Sequence, residues 1–402
     1  MQIEHARLHY HRLDRLAEVT GGVTLGPRIP SGSSVELPYL RVANVQDGYI
    51  CTDDIKTLRV AKESVERFRV RPGDVLLTEG GDFDKLGRGA VWDGRIDPCL
   101  HQNHVFRVRC SEKLLPEFLA LYLASPAGRS YFLRIAKQTT NLATISSSQL
   151  KAMPVPLVPL QQQWHAVGIA TAVREVKRGV ERSIEKLRSV RLGMVLGALA
   201  SVDSVEPAIG WRRMPLREVV PFVEYGISEA LSDDPQGTPV LRMNNIRDGK
   251  PDLKELRYCP VSVAERMMLR SGDVLFNRTN SIDHVGKAAI WKGELSSATF
   301  ASYLVRLNPH AGKLHPEYLV EWLMHPMVRR RVKALSTAAV QQVNVNPARL
   351  LGISIDLPDA LTEQRKIIAE LSTCDRLISR EEAELEKIGT LEQGIVADVL
   401  RS

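Results

Sequence analysis

The chain has 402 residues, more than one hydrophobic core usually supports, so we expect two or three domains. Its net charge of +7 is mild for this length, which excludes a strongly basic nucleic-acid domain but permits contact with phosphates. The sequence has no run of about 18 apolar residues and no signal-peptide core, so we expect a cytoplasmic protein without a membrane span. Its five cysteines form no C-x-x-C pair, which favours reduced thiols over a zinc ribbon.

Short apolar runs bounded by glycine, proline and aspartate occur along most of the chain. They predict strands at residues 37–45, 74–78, 89–92 and 104–109, and again at 240–246, 273–277, 287–291 and 302–307. Helix pairs are predicted at 116–124 with 128–136, and at 316–324 with 327–335. This content predicts an α+β fold with mixed sheets rather than a doubly wound parallel sheet.

Two long helical segments stand apart from these short elements, and each has apolar residues at steps of three and four. In residues 160–200 the stripe consists of Ile169, Val173, Val176, Val180, Ile184, Leu187, Val190 and Met194. In residues 362–401 it consists of Ile367, Leu371, Cys374, Ile378, Leu385, Ile388, Ile395 and Val399. A helix of this length spans roughly 60 Å, so its stripe needs a partner that covers it.

The charges of the two segments indicate what that partner is. Residues 160–200 carry a net charge of +4 and residues 362–401 a net charge of −3. Opposite charges beside matching apolar stripes favour pairing of the two helices with each other over self-pairing. The alternative is two separate amphipathic helices, each packed on its own domain.

The sequence also repeats itself at an offset of 199 to 201 residues. YLRVANVQDG at 39–48 recurs as VLRMNNIRDG at 240–249, GDVLL at 73–77 recurs as GDVLF at 272–276, and LGRGAVW at 86–92 recurs as VGKAAIW at 285–291. We interpret this pattern as a tandem duplication in which one long helix closes each copy. Duplicated copies usually pack about a pseudo-two-fold axis, which would make the two long helices antiparallel.

The repeated motifs resemble those of the specificity (S) subunits of type I restriction–modification systems over essentially the whole chain. The resemblance rests on residues 73–92 and 272–291, and on the proline-flanked entries to the long helices, PVPLVP at 154–159 and IDLP at 355–358. The family usually begins each long helix with a Pro-Leu-x-Glu-Gln-like motif. The second copy keeps LTEQ at 361–364, whereas the first has LQQQ at 160–163, a mild departure.

The resemblance implies two duplicated target-recognition domains, at 1–159 and 201–361, joined by spacer helices at 160–200 and 362–402 that form a long antiparallel two-helix coiled coil. Each domain would read one half of a bipartite site in double-stranded DNA, and the helices would fix the spacing and dock adenine methyltransferase subunits. A restriction translocase is a further implied partner. The chain itself would be non-catalytic and hold no cofactor, with S-adenosylmethionine bound in the methyltransferase subunit. The alternative is a protein–protein scaffold without nucleic acid.

Polar loops in the two copies supply the candidate DNA-contacting residues. Asn and Arg suit base edges, while Lys, Thr and Ser suit phosphates. The candidates are Thr78, Glu79, Lys85, Arg88, Asn277, Arg278, Thr279, Asn280, Ser281 and Lys287, and, in a second patch, Thr140, Asn141, Gln341 and Asn344. The structural alternative is that the loops are surface turns, with Gly87 and Gly286 shaping the backbone, and that the second patch caps the segment after it.

Catalytic interpretations find less support. Asp74, Glu79, Asp82 and Asp84 with Lys85 resemble a metal-dependent nuclease cluster, but the second copy does not share the acidic set. His101 and His104 have metal-like spacing without a further Cys or His cluster, so a structural pair is expected. The sequence has neither a phosphate-binding GxxxxGK[ST] motif nor the Pro-Pro motif of an adenine methyltransferase.

Overall fold

The computed structural model describes residues 9–24, 33–81, 86–138, 143–199, 202, 204–339 and 342–399. The chain divides into two compact units: unit 1 comprises Met1–Arg182 with Glu382–Ser402, and unit 2 comprises Ser183–Glu381. The first long helix is Leu160–Ala198 and the second is Leu361–Val399, close to the predicted ends. Because both unit boundaries fall inside these helices, each long helix contributes one segment to each unit.

Unit 1 consists of short strands and short helices before the first long helix. Its strands are Tyr10–Arg12, Ala17–Gly21, Ser34–Leu40, Lys56–Ala61, Arg69–Val70, Val75–Thr78, Gly80–Gly81, Gly89–Val91, Cys99–His101, Val105–Cys110, Lys137–Gln138, Ala143–Thr144 and Pro154–Pro156. Its α-helices are Val65–Phe68, Pro116–Ala124, Pro126–Ile135 and Ser147–Lys151, and its 3-10 helices are Leu13–Arg15, Val42–Asn44 and Lys62–Ser64.

Unit 2 has elements of the same kinds between the two long helices. Its strands are Trp211–Pro215, Phe222–Tyr225, Thr238–Leu241, Ile246–Arg247, Lys250–Pro251, Arg257–Cys259, Val274–Asn277, Thr279–Asn280, Ala288–Ile290, Thr299–Phe300, Leu304–Asn308, Thr337–Ala339, Gln342–Asn344 and Ser354–Pro358. Its α-helices are Pro316–Met324, Pro326–Ala334 and Pro347–Leu350, and its 3-10 helices are Leu216–Glu218, Met243–Asn245 and Glu265–Met267.

A four-stranded antiparallel sheet is central to each unit. In unit 1 its strand order is Ala17–Gly21, Val105–Cys110, Val75–Thr78, Gly89–Val91. In unit 2 the order is Phe222–Tyr225, Leu304–Asn308, Val274–Asn277, Ala288–Ile290. Each unit also has a parallel strand pair, formed by Ser34–Leu40 with Cys99–His101 and by Thr238–Leu241 with Thr299–Phe300. The expected mixture of helices and mixed sheets is therefore confirmed.

The central strand Val75–Thr78 is buried on both faces, which explains its unbroken apolar sequence. Because side chains alternate along a strand, Val75 and Leu77 face one cluster, which also contains Phe118 and Phe132 from the helix pair. Leu76 belongs to a second cluster around Trp92. In unit 2, Val274 and Phe276 share a cluster with Trp322, and Leu275 lies with Trp291.

Two predicted strands end earlier than expected. Residues 37–45 were predicted as one strand, but the strand ends at Leu40 and Val42–Asn44 forms a 3-10 helix. The cause is local, since the Arg41 N–H donates to Asn44 Oδ1 at 2.9 Å and competes with the strand ladder. In unit 2 the Arg242 N–H donates to Asn245 Oδ1 at 3.0 Å and ends the strand at Leu241.

A buried glutamine anchors the first turn of each long helix. Gln163 and Gln364 are both fully buried. The Leu115 N–H donates to Gln163 Oε1 at 2.8 Å, and Gln163 Nε2 donates to the carbonyls of Lys113 and Val158. The His315 N–H donates to Gln364 Oε1 at 2.9 Å, and Gln364 Nε2 donates to the Lys313 carbonyl. Each glutamine thus satisfies the backbone just before the Pro116–Ala124 or Pro316–Met324 helix.

The predicted stripe of the first long helix is wrong at two positions. Val176 and Val190 are 57% and 48% exposed. Ala166, Ala170 and Val195 are buried instead. The prediction followed large apolar side chains and passed over alanine, although a small residue on the covered face allows closer packing. In the second helix, Ile367, Leu371, Cys374, Ile378 and Ile388 are buried as expected, whereas the side chains of Ile395 and Val399 lie outside the described residues.

Within unit 2 the two long helices contact each other. Cys374 Sγ lies 3.6 Å from the Leu187 carbonyl oxygen. The Arg191 guanidinium donates to Asp375 Oδ1 at 2.5 Å and to Glu321 Oε1 at 2.6 Å. Burial raises the pKa of Glu321 although Arg191 opposes the change. Arg191 therefore ties both helices to the Pro316–Met324 helix.

From the burial of His101 we expect the stability of unit 1 to depend on pH. His101 is fully buried, and its Nδ1 lies 2.8 Å from the Phe68 carbonyl oxygen. Desolvation lowers the pKa of His101 from 6.5 to about 4. The unfolded chain therefore takes up a proton near pH 6.5 while the folded protein does not, so stability falls as the pH drops from 6.5 towards 4.

We expect His101→Asn to remove this contribution, which reaches about 3 kcal/mol at roughly 1.4 kcal/mol per pKa unit. Asn retains a donor for the Phe68 carbonyl. The measurement is the free energy of unfolding of wild type and variant at pH 7 and pH 4.5. Equal losses in the two proteins between these pH values would show that His101 is not the cause.

Candidate nucleic-acid interface

The unit 1 loop follows the strand Val75–Thr78. Thr78 is buried, and its N–H donates to the Arg88 carbonyl at 3.0 Å across the base of the loop. Glu79 and Arg88 are half-buried. Lys85 lies outside the described residues. The structure thus brings the backbones of Thr78 and Arg88 together, and Glu79 directly follows Thr78 in the chain.

The unit 2 loop divides into buried and accessible side chains. Asn277 is fully buried and its Nδ2 donates to the Met243 carbonyl at 2.9 Å. Asn280 is also buried, and its Nδ2 lies 3.4 Å from the same carbonyl oxygen. Arg278 and Lys287 are half-buried, and Ser281 is exposed. The two asparagines therefore fix the loop to the 3-10 helix Met243–Asn245, while the other three side chains reach solvent.

The second polar patch adjoins the same loops. In unit 2, Thr279 pairs with Asn344 across neighbouring strands, and the Thr279 hydroxyl donates to Asn344 Oδ1. In unit 1, Ala143–Thr144 pairs with Gly80–Gly81 in the corresponding place. Thr140, Asn141 and Gln341 lie outside the described residues. In unit 2 the described residue of the second patch, Asn344, thus adjoins the first loop at Thr279.

Gly87 and Gly286 shape the backbone of the two loops, as the structural alternative in the sequence analysis expects. Their φ angles are +68° and +77°, a region that side chains rarely adopt. A Cβ on Gly87 would lie 2.3 Å from the Phe132 ring, and one on Gly286 would lie 2.6 Å from Val332 Cγ1. Only glycine therefore lets this turn pack against the second helix of the pair.

Comparison of Gly286→Ala with Gly272→Ala separates backbone strain from this packing contact. Gly272 has φ +97°, but a Cβ there meets no atom within 4 Å. We expect Gly272→Ala to cost about 1–2 kcal/mol of unfolding free energy from strain alone, and Gly286→Ala to cost roughly 1–3 kcal/mol more from overpacking. Equal losses in chemical denaturation would contradict the packing argument.

Three accessible side chains beside the loops were not among the predicted DNA-contacting residues. In unit 1, His104 is exposed and its Nδ1 lies 2.7 Å from Glu79 Oε2. In unit 2, Tyr225 and Tyr303 are 50% and 45% exposed, and the Arg278 guanidinium lies 5.2 Å from the centre of the Tyr225 ring. The sequence held a signal for one pair, because His104 and Tyr303 are separated by the repeat offset of 199 residues.

Asp74, the first residue of the acidic cluster considered as a nuclease site, has a structural role. Asp74 is buried, accepts hydrogen bonds from Arg109 Nε at 2.8 Å and Nη2 at 2.7 Å, and accepts one from the Arg71 N–H. In unit 2, Asp273 accepts from Arg306 Nη1 at 2.8 Å. His101 and His104 have separate partners, Phe68 and Glu79. Among the described residues, no group of three His, Cys, Asp or Glu side chains is placed to hold a metal ion.

The fold and these loops define a class of chain: two units with matching central sheets and polar loops, and two long helices that each contribute to both. No protein-family model matches the chain. No helix within the described ranges has the length and apolar character needed to span a bilayer.

The chain is similar in sequence to curated specificity subunits of type I restriction enzymes. The chain is 30% identical over 189 residues to the putative type I restriction enzyme MjaX specificity subunit of Methanocaldococcus jannaschii, a match covering 46% of this chain and 44% of that protein. It is 22% identical over 423 residues to the type I restriction enzyme EcoBI specificity subunit of Escherichia coli, covering 97% of this chain and 84% of that one.

The fold is shared with a chain solved in a study of complex assembly and conformational transition of the type I R-M system. The TM-score is 0.66 at 19% identity, with all of both chains covered. The predicted resemblance to type I specificity subunits is therefore confirmed in sequence and in fold. The match to the MjaX subunit spans less than half of that relative's length.

Proposed function

We propose that this chain is the sequence-specific DNA-recognition subunit of a type I restriction–modification complex. Each unit would read one half of a bipartite target, and the chain itself would carry out no catalytic step. The named relatives are specificity subunits of type I restriction enzymes, which supports this role. The scaffold alternative gains no support from them.

The observation that carries the proposal is that the two units hold different polar side chains on the same local backbone. In each unit a buried strand of the central sheet leads into a polar loop closed by a glycine of positive φ. Unit 1 has Glu79 and His104 there, whereas unit 2 has Arg278, Tyr225 and Tyr303. Two units that share a backbone but carry different polar side chains are suited to recognising two different base sequences.

The residues proposed to form the DNA-binding site are those predicted from the sequence: Thr78, Glu79, Lys85, Arg88, Thr140, Asn141, Asn277, Arg278, Thr279, Asn280, Ser281, Lys287, Gln341 and Asn344. Among those that the structure describes, burial suggests two different roles. Arg278, Ser281 and Lys287 would contact DNA directly. The buried Asn277 and Asn280 would act by holding the loop in place.

We further propose that the units are duplicated target-recognition domains at 1–159 and 201–361, and that spacer helices at 160–200 and 362–402 form an antiparallel coiled coil. The contacts of Arg191 with Asp375 and of Cys374 with Leu187 support pairing in unit 2. Helices of 39 residues extend about 58 Å. This length is enough to bridge half-sites one turn of DNA apart, about 34 Å.

Adenine methyltransferase subunits are the proposed partners, with a restriction translocase as a further one, and S-adenosylmethionine would be bound by the methyltransferase. Leu160 and Trp164 at the start of the first long helix are 41% and 59% exposed. Large apolar side chains exposed together are typical of a surface that another protein covers. This feature supports a docking role for the helix.

Mapping of methylated adenine in genomic DNA, with and without this gene, tests the function. The chain is expressed with its methyltransferase subunit in a host that lacks both. The proposal predicts methylation of one bipartite motif that disappears when this gene is removed. Methylation that is unchanged without the gene would refute it.

A further inference from the structure

Glu79 and Arg278 occupy equivalent backbone positions in their units. The Glu79 N–H donates to the His104 carbonyl at 2.9 Å, and the Glu79 carbonyl accepts from the Ile145 N–H at 2.9 Å. The Arg278 N–H donates to the Tyr303 carbonyl at 3.1 Å, and the Arg278 carbonyl accepts from the Val345 N–H at 2.8 Å. Each residue also directly follows the same strand of the central sheet. The fold therefore presents a carboxylate and a guanidinium from the same place.

The Glu79 side chain is oriented but retains an available acceptor. His104 Nδ1 lies 2.7 Å from Glu79 Oε2, and His104 Nε2 lies 3.4 Å from Asn103 Nδ2. Glu79 Oε1 makes no hydrogen bond to the described residues. The Glu79 side chain is 30% exposed, so an external donor can reach its carboxylate. An ionised carboxylate only accepts hydrogen bonds.

The Arg278 side chain is held by contacts that leave a donor available. Its Nη1 donates to the Ser302 carbonyl at 3.2 Å, and its guanidinium lies over the Tyr225 ring. Its Nη2 has no hydrogen-bond partner within the described ranges. Its Nε is buried without a partner, which is an unfavourable state that needs an explanation. We explain this unpaired Nε as the cost of fixing the Arg278 guanidinium in one orientation before DNA binds. A side chain that is already fixed loses less conformational entropy on binding.

We propose that Glu79 and Arg278 are corresponding specificity determinants of opposite hydrogen-bonding character. Glu79 selects a base whose major-groove edge presents an exocyclic amine donor, adenine or cytosine, and Arg278 selects guanine, whose O6 and N7 are acceptors. The inference rests on the proposed DNA-recognition function. It adds that the base contacted by Glu79 in one half-site presents a hydrogen-bond donor, whereas the base contacted by Arg278 in the other half-site presents acceptors.

The test is selection of duplexes from a randomised library by the complete complex of this chain with its methyltransferase subunits. The variants are Glu79→Ala, Arg278→Ala and Arg278→Lys. Lys keeps the positive charge for phosphates but lacks the planar donor pair. The matched controls are Glu63→Ala and Arg270→Ala, which remove like charges at exposed positions outside both loops. Thermal unfolding of each complex checks that the variants are folded.

We expect Glu79→Ala to abolish the preference for an amine-bearing base at one position of one half-site, a loss of roughly 5- to 150-fold in discrimination. Arg278→Ala abolishes the preference for guanine at one position of the other half-site by a similar factor. Arg278→Lys weakens this preference without abolishing it, because an ammonium can still donate to guanine but lacks the planar donor pair. Every remaining position keeps its preference, and the controls change nothing.

Two outcomes overturn the inference. One is an unchanged base preference in all three variants. The other is a loss of affinity that is uniform across sequences in Arg278→Ala and restored in Arg278→Lys, since that pattern identifies a phosphate contact. Failure of the wild-type complex to select any bipartite sequence is a different result, and it refutes the proposed function itself.

Discussion

Replacement of Gln163 by leucine is expected to lower the free energy of unfolding by about 2–5 kcal/mol. Leucine keeps the volume but leaves the Leu115 N–H and the carbonyls of Lys113 and Val158 without their buried partner. An unsatisfied buried polar group costs roughly 1–3 kcal/mol, and some of these groups will recover water. Chemical denaturation monitored by circular dichroism measures the loss.

Gln162→Leu is the matched control, because Gln162 is the neighbouring residue of the same helix and its side chain is exposed. We expect this variant to change stability by less than about 0.5 kcal/mol. Gln364→Leu should reproduce the effect of Gln163→Leu in unit 2, since Gln364 makes the corresponding contacts with His315 and Lys313. Equal stabilities of the Gln163 and Gln162 variants would show that the glutamine does not anchor the helix.

Leu371→Arg is expected to destabilise unit 2 by more than about 4 kcal/mol. Leu371 is 2% exposed and lies in the core cluster with Val195 of the first long helix and Leu319 of the Pro316–Met324 helix. The substitution removes the packing of a buried leucine, which is worth about 2–5 kcal/mol, and adds a charge that burial disfavours. Thermal and chemical unfolding of the full chain measure the effect.

Two leucines on the long helices serve as controls for this result. Leu377 is 46% exposed on the same helix, so Leu377→Arg should stay within about 0.5 kcal/mol of wild type. Leu187 is half-buried, and a long arginine stem can reach solvent there, so Leu187→Arg should have an intermediate effect. A Leu371→Arg protein as stable as the Leu377→Arg protein would contradict the helix packing described for unit 2.

Apolar periodicity was sufficient to predict the long helices and the short helix pairs, because burial of one face decides whether such segments are helical. It failed where polar side chains decide the structure. Asn44 and Asn245 end their strands through hydrogen bonds to the backbone, and Arg191 occupies a covered position among apolar residues. A pattern that counts apolar residues ignores all three.

The candidate site shows the same limit. The sequence placed Asn277 and Arg278 in one polar loop without distinguishing them, yet Asn277 is fully buried and Arg278 reaches solvent. Strand alternation separates the two side chains, but this effect depends on where the strand ends. Tyr225 comes from a distant part of the chain, and only the sheet order brings it beside Arg278.

The dependence of binding on the spacing between half-sites tests the central proposal most directly. The complete complex is titrated with duplexes that carry both half-sites separated by the native spacer, or by one to three base pairs more or fewer. A rigid helix pair predicts one optimal spacer, with affinity falling steeply on either side of it. Equal affinity at every spacer length would contradict the proposal that the long helices set the distance between two DNA-reading units.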